Sequence, residues 1–380
     1  MPPKPKHKKK KITNINTGGG ILLVLTGIVP FCLGLTFLSL YIPPRIFWIP
    51  GMISLAFPFL IIASLVLGFI YLSFLKKRGF IFFAAILLNW VNIANFIQFN
   101  KTQTPIEKNK TEAIHLLSYN VNLFDYYAIL DHNKSSIRNE IIDFIETENA
   151  DVVCLQEYYE SVDGSFPIAP ILKENADLLY HNKMAKNKKC YFGNVIFSKF
   201  PIIQSGEIPN VNRLAAIYVD IVRKTDTFRI YNMHLESNKL DNEDHLFYTG
   251  LTSSSQENAN IKEGTIKIIK KLRHAAIERS AQMKNILAHI AQSPYPVVLS
   301  GDMNDNPVSY VYHKACTKLN DSFCEKGQGL GHTYQGIFPS YRIDYILTSK
   351  NIETLTFSCL NVDYSDHCPI TSSLLLPTKQ

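Results

Sequence analysis

The sequence predicts an α/β domain, two sheets with helices outside them, preceded by a membrane-embedded segment of three helices. Three observations point there. No charged residue falls within 12–44, 46–75 or 79–100, and crossing a hydrocarbon core takes about 20 apolar residues. From residue 113 onward, short apolar runs of strand length recur, with few helical stretches between them. Charge is split along the same line. Residues 1–112 hold 13 Lys+Arg against 2 Asp+Glu, and residues 113–380 hold 26 against 30, so a +11 segment precedes a −4 one. The overall +7 therefore belongs to the N-terminal part and is no argument for nucleic acid.

The uncharged runs give spans at 20–41, about 50–73 and 80–99. Pro30, Pro50 and Pro58 would be costly in a soluble helix but are tolerated in membrane bundles. A signal peptide followed by a core helix is the competing reading, and two further uncharged runs argue against it. The positive-inside rule sets the orientation. The basic tail (1–19) and Lys76-Lys77-Arg78 both belong in the cytoplasm, and an odd number of spans then places residue 101 onward outside. Asn89, Asn92 and Asn95 form a polar stripe in the third span, suited to packing against the other helices. The organisation expected is a tail (1–19), a three-helix anchor (20–100), a polar linker (101–112) and a soluble domain (113–380).

In the soluble part, HLLSYNVNLF (115–124) reads as a strand running into a loop. Ile137, Ile141, Ile142 and Ile145 follow at helical spacing. DVVCLQE (151–157) and GNVIFSKFP (193–201) read as strands, and 213–222 with 227–236 as a hairpin pair. Residues 238–263 form a polar excursion, and 265–292 an amphipathic helix. PVVLSGDMNDNP (296–307), YRIDYILTS (341–349), ETLTFSCL (353–360) and CPITSSLLL (368–376) complete the strands. Seven cysteines without a CxxC pair give neither a zinc site nor a disulfide framework. There is no GxGxxG, GxSxG or P-loop.

Polar residues recur where apolar runs end: Asn120 after LLSY, Glu157 after VVCLQ, His234 after IYNM, Asp302 and Asn304 after VVLSG, and Asp366-His367 before CPITSS. Asp344 sits within YRIDYIL. Each alone is an ordinary strand-end or turn residue; gathered above one sheet edge they make an active site. Oxygen donors suit a hard divalent cation, and Glu157 is the strongest candidate, with Asn120 and Asp366 beside it.

The ordered segments SYNVN, DVVCLQE, GNVIFSKFP, MHLES, GDMNDNP, RIDYIL and SDHCPI resemble the endonuclease/exonuclease/phosphatase superfamily over about residues 113–376, its deoxyribonuclease/sphingomyelinase-like branch in particular. The resemblance implies a four-layer αββα sandwich of two mixed sheets flanked by helices. It implies Mg²⁺ or Mn²⁺ held by Asn120, Glu157 and Asp366, an attacking water oriented by Asp302, a phosphate oxygen held by Asn304, and an Asp344–His367 pair. His234 stands where abasic-site endonucleases usually carry tyrosine, a departure from that branch. Asn194 and Arg213 are further candidates for gripping a phosphate oxygen.

The expectation is a bacterial, multi-pass inner- or plasma-membrane protein whose extracytoplasmic domain is a magnesium-dependent phosphoester hydrolase. Its substrate would be nucleic acid, as for an endonuclease, or alternatively a phospholipid head group. A non-catalytic binding module of the same fold is disfavoured because every expected polar position is filled. A cluster of Lys183, Lys186, Lys188 and Lys189 would suit either anionic substrate. No protein partner is inferable.

Overall fold

The computed structural model describes residues 17–74, 76–100, 112–126, 137–185, 189–210, 214–240, 258–336 and 341–377. The basic tail up to residue 16, most of the expected linker (101–111), Arg213, Lys186, Lys188 and the centre of the polar excursion (241–257) lie outside them.

The C-terminal half is built on two six-stranded mixed sheets. The first runs Glu353–Cys359 (β13), Ile370–Leu375 (β14), Ile114–Asn120 (β2), Val152–Ser161 (β3), Cys190–Ser198 (β5), Tyr180–Ala185 (β4). The second runs Asn320–Asp321 (β10), Asp344–Thr348 (β12), Val297–Asp302 (β9), Asp226–His234 (β8), Leu214–Arg223 (β7), Ile202–Pro209 (β6). Each sheet has one parallel pair, β2 with β3 and β8 with β9. A parallel pair needs a long crossover, and the helices Ile137–Glu148 and Asn258–Ile290 supply them.

Side chains alternate between the two faces of a strand. Leu116, Val152, Ile217, Ile230, Val298 and Ile370 meet between the sheets. Leu117, Val153 and Phe197 point outward against Ile141, Ile142 and Ile145. On the other side, Tyr231, Leu299 and Leu347 meet Met283 and Ile286 of the long helix. The layers are thus helix, sheet, sheet, helix, as expected. Both sheets are covered on both faces, which is why their strands read as continuous apolar runs. The long helix begins at Asn258, seven residues earlier than its periodicity suggested.

The N-terminal segment departs from the three-span expectation. Its helices are Thr17–Ser39 (α1), the short Ile49–Ile53 (α2), Phe57–Phe74 (α3), Phe80–Leu88 (α4) and Trp90–Phe96 (α5). Among the described residues one helix, Ile49–Phe74, is long and apolar enough to cross a membrane; the described apolar part of α1, Val24–Ser39, is shorter. The third expected span is broken at Asn89 and bent by 56°. The physical reason is the polar stripe. The Asn89 side chain, fully buried, donates to the carbonyls of Leu33 and Ala85 and accepts from Thr36 Oγ1. Satisfying an amide in this apolar setting fixes the break against α1.

Instead of hanging on a tether, this segment is seated on the C-terminal half. Ser39 Oγ donates to Val308 O at 2.8 Å, the Tyr341 hydroxyl to Leu55 O, and Arg342 Nη2 to Asn95 O at 3.0 Å. Gln98–Phe99 (β1) pairs with Gln328–Gly329 (β11). Arg342 is the centre of the joint. It is 1% exposed, ion-paired to Asp321 at 2.7 Å, and stacked 4.2 Å from the Phe323 ring centroid. Removing one partner of such a pair leaves a buried charge uncompensated, at about 3–5 kcal/mol. Arg342→Met is therefore expected to lower unfolding free energy by about that amount; urea titration in detergent checks it, and a loss within error would mean the pair is dispensable.

Candidate active site

Register brings the chemistry together. His234, the last residue of β8, pairs with Asp302, the last of β9, and Asp302 pairs with Asp344, the first of β12. Three adjacent strands thus end in His, Asp and Asp at one level. The approach depends on Gly301, at φ +126°. A Cβ there would lie 2.1 Å from Met233 O, so only glycine lets β8 and β9 run this close. Asn120 reaches the same place from the other sheet, donating to Asp302 Oδ2 at 3.2 Å and to Glu157 Oε1 at 3.4 Å.

Glu157 sits at an irregularity in β3, where the pairing with β5 slips between Leu155 and Tyr158, and has φ +50°. Bulges next to active sites re-aim side chains, and here the carboxylate turns into the cavity. Asn304 is also left-handed, at φ +54°. Such backbone is costly for a non-glycine residue and persists where the surroundings hold it. The Asn304 backbone N–H donates to Asp302 Oδ1 at 2.7 Å, and its side chain to Asp302 Oδ2 at 3.1 Å and Leu235 O at 3.0 Å.

Asp302 is the hub. It is 1% exposed, and burial followed by the nearby Asp344 charge raises its pKa, against the pull of His367 and His234. His367 Nδ1 lies 2.9 Å from Asp344 Oδ2, and its Nε2 lies 3.8 Å from Asp302 Oδ2. Burial works against a charged imidazole, but Asp344 and Asp302 together raise its pKa to about 10. The Tyr334 ring packs on His367, with centroids 5.2 Å apart. His234 Nε2 is 3.6 Å from Asp302 Oδ2 and 3.7 Å from Glu157 Oε1, buried and without a hydrogen-bond partner. Glu157, Asp302, Asn304, Asp366 and His367 open into a cavity of about 320 Å³.

The expected residues therefore converge, with differences of role. Asn120 presents its NH₂ to the two carboxylates, because its oxygen accepts the Asn122 N–H at 3.1 Å. It is placed to hold ligands as much as to be one. Asn304 likewise turns its amide onto Asp302 and Leu235. Asn194 does not join the cavity lining; it is buried between the sheets and donates to Asn232 O at 2.9 Å. Arg213 lies outside the described residues. Among those residues, the tightest group of potential ligand atoms is Asp302, Asp344 and His367, within 4.8 Å of one another. Asp344 Oδ2 and His367 Nδ1 are already hydrogen-bonded to each other, whereas the Glu157 carboxylate has the long Asn120 hydrogen bond and the looser approach of His234 among the described contacts. Asp366 is exposed at the cavity wall.

The supports of the site are not marked by any of these motifs. Gln156 donates to Asn232 Oδ1 at 2.6 Å and to Ser118 Oγ at 3.2 Å, while Asn232 donates to Leu155 O and Val195 O. This fully buried network rivets the two sheets just beneath the site. Arg279 of the long helix bonds Asp305 at 3.1 Å and Glu236 O at 3.0 Å, tying the loop after β8 to the loop after β9. Polar residues inside otherwise apolar strands, as in CLQE and IYNMH, were the available signal.

The raised His367 pKa is checkable in metal-free protein. Its ring nitrogens are expected to report an imidazolium at pH 8 by ¹⁵N NMR. Asp344→Asn removes the carboxylate that favours the cation, so the pKa is expected to fall toward the usual histidine value of about 6.5. An unchanged titration in that variant would show that Asp344 does not govern the ring.

Residues 117–367 match the Endonuclease/Exonuclease/phosphatase family, and residues 19–96 match a domain of unknown function, DUF8431. No curated protein matches the chain. Among solved structures it is similar to an endonuclease/exonuclease/phosphatase from Beutenbergia cavernae at 16% identity and TM-score 0.48, covering 70% of this chain and 72% of that one. It is also similar to the human Nocturnin catalytic domain with bound sulfate, at 17% identity and TM-score 0.48, covering 70% and 93%. A third is a mannosyl-6-phosphatase from Bacteroides thetaiotaomicron, at 14% identity and TM-score 0.48, covering 69% and 100%.

Proposed function

Because the chain belongs to the Endonuclease/Exonuclease/phosphatase family, we propose that it is a membrane-anchored, divalent-metal-dependent phosphoesterase. The observation that carries the reading is the packing of His234, Asp302, Asp344 and His367 into one cluster, of which Asp302 and His367 open, with Glu157 and Asp366, onto one cavity. The donor set fits a hard cation. Glu157 and Asp366 offer carboxylate oxygens at the cavity wall, and magnesium or manganese prefers oxygen ligands. Asn120 keeps Glu157 in place. When bound, the ion supplies positive charge to a phosphoryl oxygen.

The chain's own groups do the rest. Asp302, held on both oxygens by Asn304 and Asn120, accepts a proton from the attacking water at Oδ2. His367 keeps its Nδ1 proton on Asp344, so Nε2 is free to donate to a phosphoryl oxygen. His234 Nε2, beside Asp302 and Glu157 and without a hydrogen-bond partner, is the group that would protonate the leaving oxygen. Hydrolysis in the purified protein is expected to require Mg²⁺ or Mn²⁺ and to stop in EDTA, measured with bis-p-nitrophenyl phosphate. Glu157→Gln is expected to raise the metal concentration for half-activity at least about tenfold, since it removes a charged ligand. Full activity in excess chelator would reject the reading.

The anchoring and orientation belong to the same proposal. α3 has 18 residues and so is about 27 Å long. The domain touches its start, at Leu55, while Lys76–Gly79 follows its other end. This separation supports a basic loop in the cytoplasm and a catalytic domain outside it, in the cell membrane. An alkaline-phosphatase fusion after residue 105 is expected to be active; activity confined to a cytoplasmic reporter at that point would invert the topology.

A further inference from the structure

The wall of the catalytic cavity is not made by the catalytic half alone. Leu55, in the short 3₁₀ turn Ser54–Ala56 that leads into α3, lines the same space as Glu157, Asp302 and His367. It is held there by the Tyr341 hydroxyl on its carbonyl, two residues before Ile343 and three before the catalytic Asp344. Leu272 of the helix Asn258–Ile290, together with Leu240 and Ile343, completes an apolar side to the cavity. The polar side is the His–Asp cluster. One chamber thus has a charged half and an apolar half.

The apolar side does not stop at the chamber. A second recess, of only about 20 Å³, shares Leu55, Leu272, Asn238 and Asp305 with it and has Met52, Phe47 and Ile42 of the connection between α1 and α3 on its apolar side. Phe47 in this lining is itself exposed, as are its neighbours Ile46 and Ile49, so the recess lies beside exposed apolar residues of the α1–α3 connection. A nucleotide or sugar phosphate gains nothing from a leucine wall, because its groups flanking the phosphate are polar and lose water there. An alkyl chain gains with every methylene taken out of water.

Resting on the phosphoesterase reading, we infer that the N-terminal helical segment forms part of the substrate site, and that the substrate is a lipid phosphate ester. Its phosphate meets the His–Asp cluster, and the first methylenes of its chain lie between Leu55 and Leu272. In the reaction the water oxygen bonds to phosphorus, the bond from phosphorus to the departing alcohol oxygen breaks, and the proton taken from water is balanced by one given to that alcohol. The anchor then does more than hold the enzyme near the bilayer. It supplies the surface that distinguishes a lipid from a soluble ester.

The test uses the full chain in detergent, supplied with Mg²⁺ or Mn²⁺, and three chromogenic diesters that share a leaving group: methyl, octyl and thymidine 5′ p-nitrophenyl phosphate. The octyl ester, kept below its micellar concentration, is expected to exceed the methyl ester in kcat/KM at least about tenfold, the effect of burying a few methylenes. Leu55→Asn and, separately, Leu272→Asn are expected to bring that ratio below about threefold. Using two elements keeps the test decisive if one variant does not fold, and circular dichroism reports which do. A ratio near one in the wild type, a ratio unchanged in folded variants, or a preference for the thymidine ester overturns this inference alone. No turnover of any of the three overturns the phosphoesterase reading and this inference with it.

Discussion

The burial of one carboxylate organises this protein. Asp302 lies at the end of a strand covered on both faces, where an isolated charge would be expensive. Each neighbour answers that cost. Asn304 and Asn120 donate to its oxygens, and two imidazoles stand within 4 Å of Oδ2. Asp344 then holds the far nitrogen of one imidazole, so the demand passes outward from group to group. A site built this way is pre-organised, because the groups that stabilise the buried carboxylate are the ones a phosphoryl group would meet.

That arrangement needs two sheets in strict register, and the polar rivets beneath the site supply it. Gln156 and Asn232 satisfy each other and the strand carbonyls across the sheet interface. A one-residue slip in any of these strands would turn His234, Asp302 or Asp344 to the opposite face. Slippage would also strand several buried amides, which is costly in a closed apolar interior. Packing between the sheets supplies cohesion, and the amides supply uniqueness of alignment.

The N-terminal segment is the other part of the design. Asn89 breaks and fixes one helix, and the ends of three helical stretches, at Ser39, Leu55 and Asn95, all contact the catalytic half. Arg342 joins the two halves, two residues from Asp344. Whatever shifts the helices therefore bears on the strand that positions His367.

Much was determined by the sequence by itself. The α/β class, the two sheets, the β7–β8 hairpin and the helix carrying Ile137, Ile141, Ile142 and Ile145 followed from the pattern of apolar residues, since apolar spacing reports which faces are buried. His234, Asp302, Asp344 and His367 were legible because polar residues at the ends of apolar runs stand out against them, and because their motifs occur in a known order. Only the tertiary structure decided what those residues face. Asn120 and Asn304 turned out to brace carboxylates and Asn194 to bind a strand carbonyl, choices fixed by which donor lies within 3 Å, which spacing along a chain does not encode. The break at Asn89 depended on carbonyls of Leu33 and Ala85 brought near only by packing. Leu55 joined the cavity because a turn 247 residues before Asp302 in sequence folds against it; hydropathy marks such a residue as apolar but carries no information about its distant neighbours.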